Sequence, residues 1–184
     1  METLDLPLAG ATLIRPRVFR DNRGYFVETY SEPRYAALGL DVHFVQDNHS
    51  RSARNALRGL HYQSAPGQAK LLRVASGRVY DVIVDIRPKS PTFGQWHGLY
   101  LDGEAHEQLF VPVGFAHGFC VVSEFADVLY KVSSPYDAKT ECALRWNDPE
   151  IGVNWPVADP ILSARDQSSE SFADFKARVS AQAQ

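Results

Sequence analysis

Two histidine segments carry the residues best suited to chemistry. Leu57-Arg58-Gly59-Leu60-His61-Tyr62-Gln63 sets His61 near a glycine and three residues after Arg58, with Lys70 further on; Pro112-Val113-Gly114-Phe115-Ala116-His117-Gly118-Phe119 again pairs a histidine with glycine. Both segments are otherwise apolar and strand-like. A titratable imidazole beside fixed positive charge, in stretches that should build a core, implies a cavity that holds an anion and moves protons. An enzyme is the first expectation.

Neutral imidazole, with a reference pKa of about 6.5, can take a proton at neutral pH, which makes His61 a candidate general base. Such a base needs an orienting carboxylate that only folding can bring. Asp166 in Leu162-Ser163-Ala164-Arg165-Asp166 is the candidate, and its plainer reading is a helix or turn cap. A jelly-roll metal site would need a His-x-His pair, a nearby Glu and a later His. Here Tyr62 and Gln63 come directly after His61 and the next charged residue is Lys70, so no metal or cofactor is expected.

Arg23, Arg58, Lys70 and Arg73 form a basic set. An Arg fork suits a phosphate, and a Lys places a point charge near a developing oxyanion. No Gly-x-x-x-x-Gly-Lys loop is present, which excludes P-loop nucleotide hydrolysis. Tyr130 ends the Val128-Leu129-Tyr130-Lys131 run, where core packing is the simple reading. Tyr136, in the Ser134-Pro135-Tyr136-Asp137 turn, is placed to stack on a planar ligand.

The elements that must position these residues are mostly short strands. Alternation and turn residues predict strands near 17–19, 25–30, 42–50, 70–75, 78–87, 96–101, 108–112, 118–123 and 127–133. Gln46, Asn48 and Ser50 fall on one strand face. Many strands with Gly and Pro between them predict an all-β sandwich or barrel, and specifically a jelly roll. Ser31 should cap a short helix closed by Gly39, and Phe172, Phe175 and Val179 have the spacing of a C-terminal helix. With no repeat or linker, the 184 residues read as one domain, 1–184.

Net charge is -3, so nothing global favours nucleic acid. No run approaches the roughly 18 apolar residues of a membrane span, and none near the N-terminus has signal length. The two cysteines, Cys120 and Cys142, read as reduced core thiols, and the expected location is cytoplasmic.

The chain resembles the dTDP-4-dehydrorhamnose 3,5-epimerase family. The likeness runs through Asp21-x-Arg23-Gly24-x-Phe26-x-Glu28, Gln46-Asp47-Asn48-x-Ser50, the His61 segment, Lys70-Leu71-x-Arg73-Val74, Asp81-Val82-x-Val84-Asp85-Ile86-Arg87, the His117 segment, Tyr130-Lys131, Trp146-Asn147-Asp148-Pro149, Trp155-Pro156 and Leu162-Ser163-x-x-Asp166. It implies a cupin-type jelly-roll barrel and a metal-free double epimerisation of a dTDP-4-keto-6-deoxy sugar. By the same resemblance, His61 paired with Asp166 is the base, Tyr130 the acid on the opposite face, and Lys70 the partner of the enolate oxygen. Arg23, Phe26, Glu28, Gln46, Asp47, Asn48, Arg58, His117, Glu141 and Arg165 match substrate-contacting positions, and Tyr136 matches the thymine-stacking tyrosine. Arg165 stands where many members have Lys. The resemblance also implies a homodimer with exchanged N-terminal strands, so that Arg23 and Glu28 serve the partner's site. Two other readings stay open at this point: a 3- or 5-mono-epimerase on the same scaffold, and a non-catalytic sugar-nucleotide binding module.

The His61 segment poses one geometric difficulty. In a regular strand Arg58 and His61, three apart, face opposite sides. If both line one cavity, the alternation must break between them, and a bulge or kink is expected at Gly59–Leu60.

Overall fold

Turn residues cut the chain into short strands that alternate between two antiparallel sheets. The computed structural model describes residues 1–182. In chain order the elements are β1 (Glu2–Asp5), β2 (Thr12–Arg15), β3 (Val18–Asp21), β4 (Gly24–Val27), α1 (Glu32–Ala36), β5 (Gln46–Ala53), β6 (Leu57–Gln63), β7 (Lys70–Ser76), β8 (Arg78–Asp85), β9 (Trp96–Asp102), β10 (Gln108–Val111), β11 (Phe115–Val121), β12 (Phe125–Val132), β13 (Glu141–Ala143), α2 (Ala164–Gln167) and α3 (Phe172–Gln182). One sheet has the order β1-β2-β10-β7-β12-β5 and the other β13-β6-β11-β8-β9, with β3 and β4 forming a separate hairpin. The neighbours β5-β12-β7-β10 facing β6-β11-β8-β9 make a jelly roll, as expected.

Between the sheets Leu72, Val74, Leu109 and Val128 meet Val79, Ile83, Leu101 and Val121. This packing fills one end of the barrel. Outside the five-stranded sheet, Phe172 and Phe175 of α3 cover Leu60, Tyr62, Val82 and Val84. Burying each such large apolar side chain contributes about 1.5–3 kcal/mol, which holds the C-terminal segment on the sheet. Tyr35 and Leu40 cover Ile14, Leu71 and Phe110 on the other sheet.

The fold moves several expected boundaries. The strand expected over 42–50 begins at Gln46, because Val42 and Phe44 pack instead beside Tyr35 and Leu40. The strand expected over 25–30 stops at Val27, and the one expected over 118–123 starts at Phe115. β1, β2 and β13 are additional to the expected set. β1 is exposed along its length and so has no burial alternation to read, while β13 has three residues. Ser31 precedes α1, but its side chain makes no capping bond. Cys120 is buried, Cys142 is partly buried, and both are free thiols.

The anticipated bulge is present. Along β11, His117 pairs with His61 and Phe119 with Arg58, so two steps on β11 oppose three on β6. Arg58 and His61 therefore both face inward, while Leu60 and Tyr62 pack against the α3 side. Gly59 has φ +134°, and a Cβ there would lie 2.5 Å from the Gly118 Cα. A Cβ at Gly118 would lie 2.7 Å from the Arg58 carbonyl oxygen. The two backbones cross with room for no side chain.

Candidate active site

The open end of the barrel is a cavity of about 640 Å³, within the range of small-ligand sites. Its walls come from both sheets. Gln46, Asn48 and Ser50 of β5, Lys70 of β7 and Tyr130 of β12 line one side; Arg58 and His61 of β6, His117 of β11 and Glu141 of β13 line the other. Tyr136 and the stretch from Ile161 to Asp166 form the mouth.

His61 Nε2 lies 2.6 Å from Asp166 Oδ1. An ionised carboxylate only accepts, so Nε2 donates and Nδ1 keeps the lone pair that can take a proton. Asp166 is buried, and burial pushes its carboxyl up; the bonds from His61 and Ser163 outweigh this and hold it below the ordinary carboxylate range. Ser163 caps α2: its Oγ accepts from Asp166 N at 3.1 Å and donates to Oδ2 at 2.8 Å. Asp166 is thus both cap partner and orienting carboxylate.

Lys70 is buried, and its Nζ donates to the His61 carbonyl at 3.3 Å. Burial pushes its ammonium down to about 8, against the opposing pull of Asp81 and Glu141. An ammonium this poorly solvated is a strong donor to any oxyanion formed beside it. Tyr130 reaches the cavity from the opposite sheet, and burial pushes its phenol up against the pull of Arg58. It therefore stays protonated at neutral pH and able to donate.

Around these groups Gln46 Nε2 donates to Asn48 Oδ1 at 2.8 Å, and the Tyr136 N–H donates to Gln46 Oε1 at 3.0 Å. Arg58 Nε donates to Ser52 Oγ at 2.9 Å. Glu141 and Arg165 form an ion pair at the mouth; burial pushes Glu141 up, and Arg165 and Tyr136 bring it below the ordinary range. Arg58, Lys70 and Arg165 supply the positive charge an anionic ligand needs.

One contributor to the site is absent from the sequence expectations. Asp81 is fully buried on β8 and holds His117 Nε2 at 3.0 Å through both oxygens. Burial pushes His117 down, with Asp81 pulling the other way, so the ring is neutral and Nδ1 remains an acceptor. The available signal is a charge inside the apolar run Val79 to Val84, which burial obliges to find a partner.

Four expected contacts lie elsewhere in the single chain. Asp47 alternates to the other face of β5 and pairs with Lys131 at 2.8 Å, lining a separate groove with Arg73. This corrects its expected place in the cavity: a neighbour of Gln46 and Asn48 cannot share their face. Arg23 and Phe26 sit on the β3–β4 hairpin, where Arg23 Nη2 pairs with Asp21 at 2.5 Å. Glu28 pairs with Arg34 at 3.1 Å. Among the described residues no group of three His, Cys, Asp or Glu side chains converges as a metal site. No helix among them is long and apolar enough to cross a membrane.

A jelly roll that opposes an oriented imidazole to a half-buried phenol, with an ammonium between the sheets, is a cupin-type scaffold suited to moving protons on carbon. The family model for dTDP-4-dehydrorhamnose 3,5-epimerase matches residues 5–174. The chain is 49% identical over 176 residues to the dTDP-4-dehydrorhamnose 3,5-epimerase of Pseudomonas aeruginosa, covering 95% of this chain and 97% of that one. It is 38% identical over 178 residues to a dTDP-4-dehydrorhamnose 3-epimerase of Streptomyces niveus, covering 96% and 86%. The crystal structure of dTDP-6-deoxy-D-glucose-3,5-epimerase from Legionella pneumophila, in complex with dTDP-4-keto-L-rhamnose, superposes with a TM-score of 0.90 at 42% identity, covering 94% of this chain and 93% of that one. The chain belongs to the dTDP-4-dehydrorhamnose 3,5-epimerase family, and with it to the isomerases.

Proposed function

We propose that this protein inverts C3 and C5 of dTDP-4-keto-6-deoxy-D-glucose, giving dTDP-4-dehydro-L-rhamnose for dTDP-L-rhamnose synthesis. The C4 ketone acidifies the protons on both neighbouring carbons. His61 Nδ1 takes each proton in turn while Asp166 stabilises the imidazolium. Lys70 faces the enolate oxygen, a role in which one well-aimed donor is worth about 2.7–4 kcal/mol. Tyr130 returns a proton to the opposite face, which inverts the centre; solvent then takes the proton from the imidazolium and reprotonates the phenolate before the second carbon reacts. None of these steps calls on a metal. Gln46, Asn48, Arg58, His117, Glu141 and Arg165 hold the sugar nucleotide, and Tyr136, 56% exposed at the mouth, stacks on thymine.

The observation that carries this reading is the placement of His61 and Tyr130 on opposite sheets across one cavity. A protein that only bound its ligand would need no such pair. The working unit is a cytoplasmic homodimer in which the β3–β4 hairpin brings Arg23, Phe26 and Glu28 to the partner's cavity. The exposure of Phe19, Tyr25 and Phe26, at 50%, 54% and 68%, supports this, and the two free thiols fit a reducing compartment.

Solvent deuterium exchange followed by NMR tests the reaction. Exchange at both C3 and C5 with formation of the L-sugar is expected. Exchange at one carbon alone makes the protein a mono-epimerase, and none at either makes it a binding module.

A further inference from the structure

One guanidinium ties together the two segments that carry His61 and Asp166. Arg178, on α3, donates from Nη2 to the Tyr62 hydroxyl at 2.7 Å. It also forks onto Glu170, Nε to Oε1 at 3.1 Å and Nη2 to Oε2 at 2.9 Å. Tyr62 is next to His61 on β6, and Glu170 lies four residues beyond Asp166. The Glu170 backbone is stitched to the strand beside β6: its N–H donates to the Ala143 carbonyl at 3.2 Å, and its carbonyl accepts from Arg145 N at 2.8 Å. Ala143 is the register partner of His61. The buried Tyr62 ring also meets Phe175 edge-on, with centroids 5.8 Å apart.

We propose that Arg178 is a positioning residue for the His61–Asp166 pair, fixing from behind the sheet the separation of the strand and the short helix whose side chains meet inside it. α2 has four residues, too few to be stable alone, so its place depends on the chain packed around it. A two-pronged Arg–carboxylate contact fixes direction as well as distance, which a single ammonium does not. With one more bond to the Tyr62 hydroxyl, the same side chain holds the strand that carries His61 and the segment that follows the helix carrying Asp166. The inference rests on the proton-transfer role given to His61.

The test compares Arg178→Met, Arg178→Lys and Tyr62→Phe with Lys176→Ala, which cuts the contact of α3 with Glu150 and leaves β6 alone. Two quantities are read: steady-state kinetics with the 4-keto sugar nucleotide, and the downfield NMR resonance of the ring proton shared by His61 and Asp166 in the substrate-free, histidine-labelled protein. Arg178→Met should lower kcat by about 10–100-fold with KM within about twofold, and should weaken or abolish the resonance. Arg178→Lys should recover part of both, and Tyr62→Phe, which keeps the ring, should move both in the same direction by less. Lys176→Ala should change neither, whatever its effect on Tm. Wild-type kcat and resonance in Arg178→Met and Tyr62→Phe, with only Tm lowered, would make Arg178 a helix anchor and overturn the inference. Should Arg178→Met not fold, Tyr62→Phe decides by the same two quantities. Because the resonance needs no substrate, a wild-type protein without epimerase activity would sink the proposed reaction and still leave the positioning inference to be judged.

Discussion

Asp166 Oδ1 sits 2.6 Å from His61 Nε2, while its other oxygen takes the Ser163 hydroxyl at 2.8 Å. One carboxylate therefore holds the His61 ring and the helix cap together. The expected outcome of His61→Ala is loss of turnover by about 10²–10⁴-fold with dTDP affinity, measured by calorimetry, nearly unchanged. Asp166→Asn should lose less activity, and it should also lower Tm through the weakened cap. Collapse of dTDP binding in His61→Ala would make the histidine structural.

Tyr130→Phe should separate proton removal from inversion. The ring still packs in β12, and His61 still removes and returns a proton on its own face. Solvent deuterium should then enter the sugar faster than the L-product forms. An equal fall in both rates would mean that proton removal itself depends on the phenol.

Lys70 carries a pH prediction with opposite signs for activity and stability. Burial holds its ammonium down to about 8, from an ordinary lysine value of 10.5. Activity should fall as pH rises past about 8, because the charge facing the enolate oxygen is lost. Stability should move the other way: between these two values the unfolded chain keeps a proton that the folded one has released, so raising the pH favours the fold at this site. A tenfold difference in proton affinity between the two states corresponds to about 1.4 kcal/mol. Lys70→Met should accordingly be inactive, yet melt higher than wild type at pH 7, with the advantage shrinking toward about pH 10. A lower Tm for Lys70→Met at pH 7 would show that the ammonium is fully compensated.

Gly59→Ala should disrupt the site by way of the backbone. The new Cβ would lie 2.5 Å from the Gly118 Cα, at φ +134°. Backbone strain of this kind costs on the order of 1–3 kcal/mol before any clash is counted. Loss of several degrees in Tm and of most of kcat is expected, with Gly118→Ala behaving alike. Wild-type values in either variant would mean that β6 and β11 can part without cost.

Overnight treatment with a strong chelator should leave activity and Tm unchanged. Stoichiometric zinc, iron or manganese whose removal abolishes activity would overturn the metal-free reading.

The legible parts of this chain are those with a period. Strands such as β7, β8 and β9 announce themselves by alternation and by the turns around Gly77 and Pro91. The bulge in β6 is legible for another reason: Arg58 and His61 cannot share a cavity without it. Asp47 is misplaced when the run Gln46-Asp47-Asn48 is read whole, although its own alternation sets it opposite its two neighbours. Asp81 shows in the sequence only as a charge within an apolar run and Arg178 not at all, since the partners that tie them to this region, His117 and Tyr62, lie 36 and 116 positions away and only folding brings them together. For Asp166 the sequence left two readings open, cap and orienting carboxylate, and the fold gives it a bond to the Ser163 hydroxyl at the start of α2 and another to the His61 ring.

The placement of His61 and Tyr130 on separate sheets bears on how selectivity would arise in the proposed reaction. The span between His61 and Tyr130 depends on the inter-sheet packing of Leu72, Val74, Ile83 and Leu109, none of which lines the cavity. Facing sheets stand about 10 Å apart, and adding or removing a methylene in such a core shifts that spacing by fractions of an ångström. In the proposed reaction a flat enolate held between two such jaws would present one face to each, and stereochemistry would then be decided partly by barrel width. Core substitutions that leave every cavity side chain intact should then alter the ratio of singly to doubly inverted sugar, making product identity a mechanical property of the barrel as much as a chemical one.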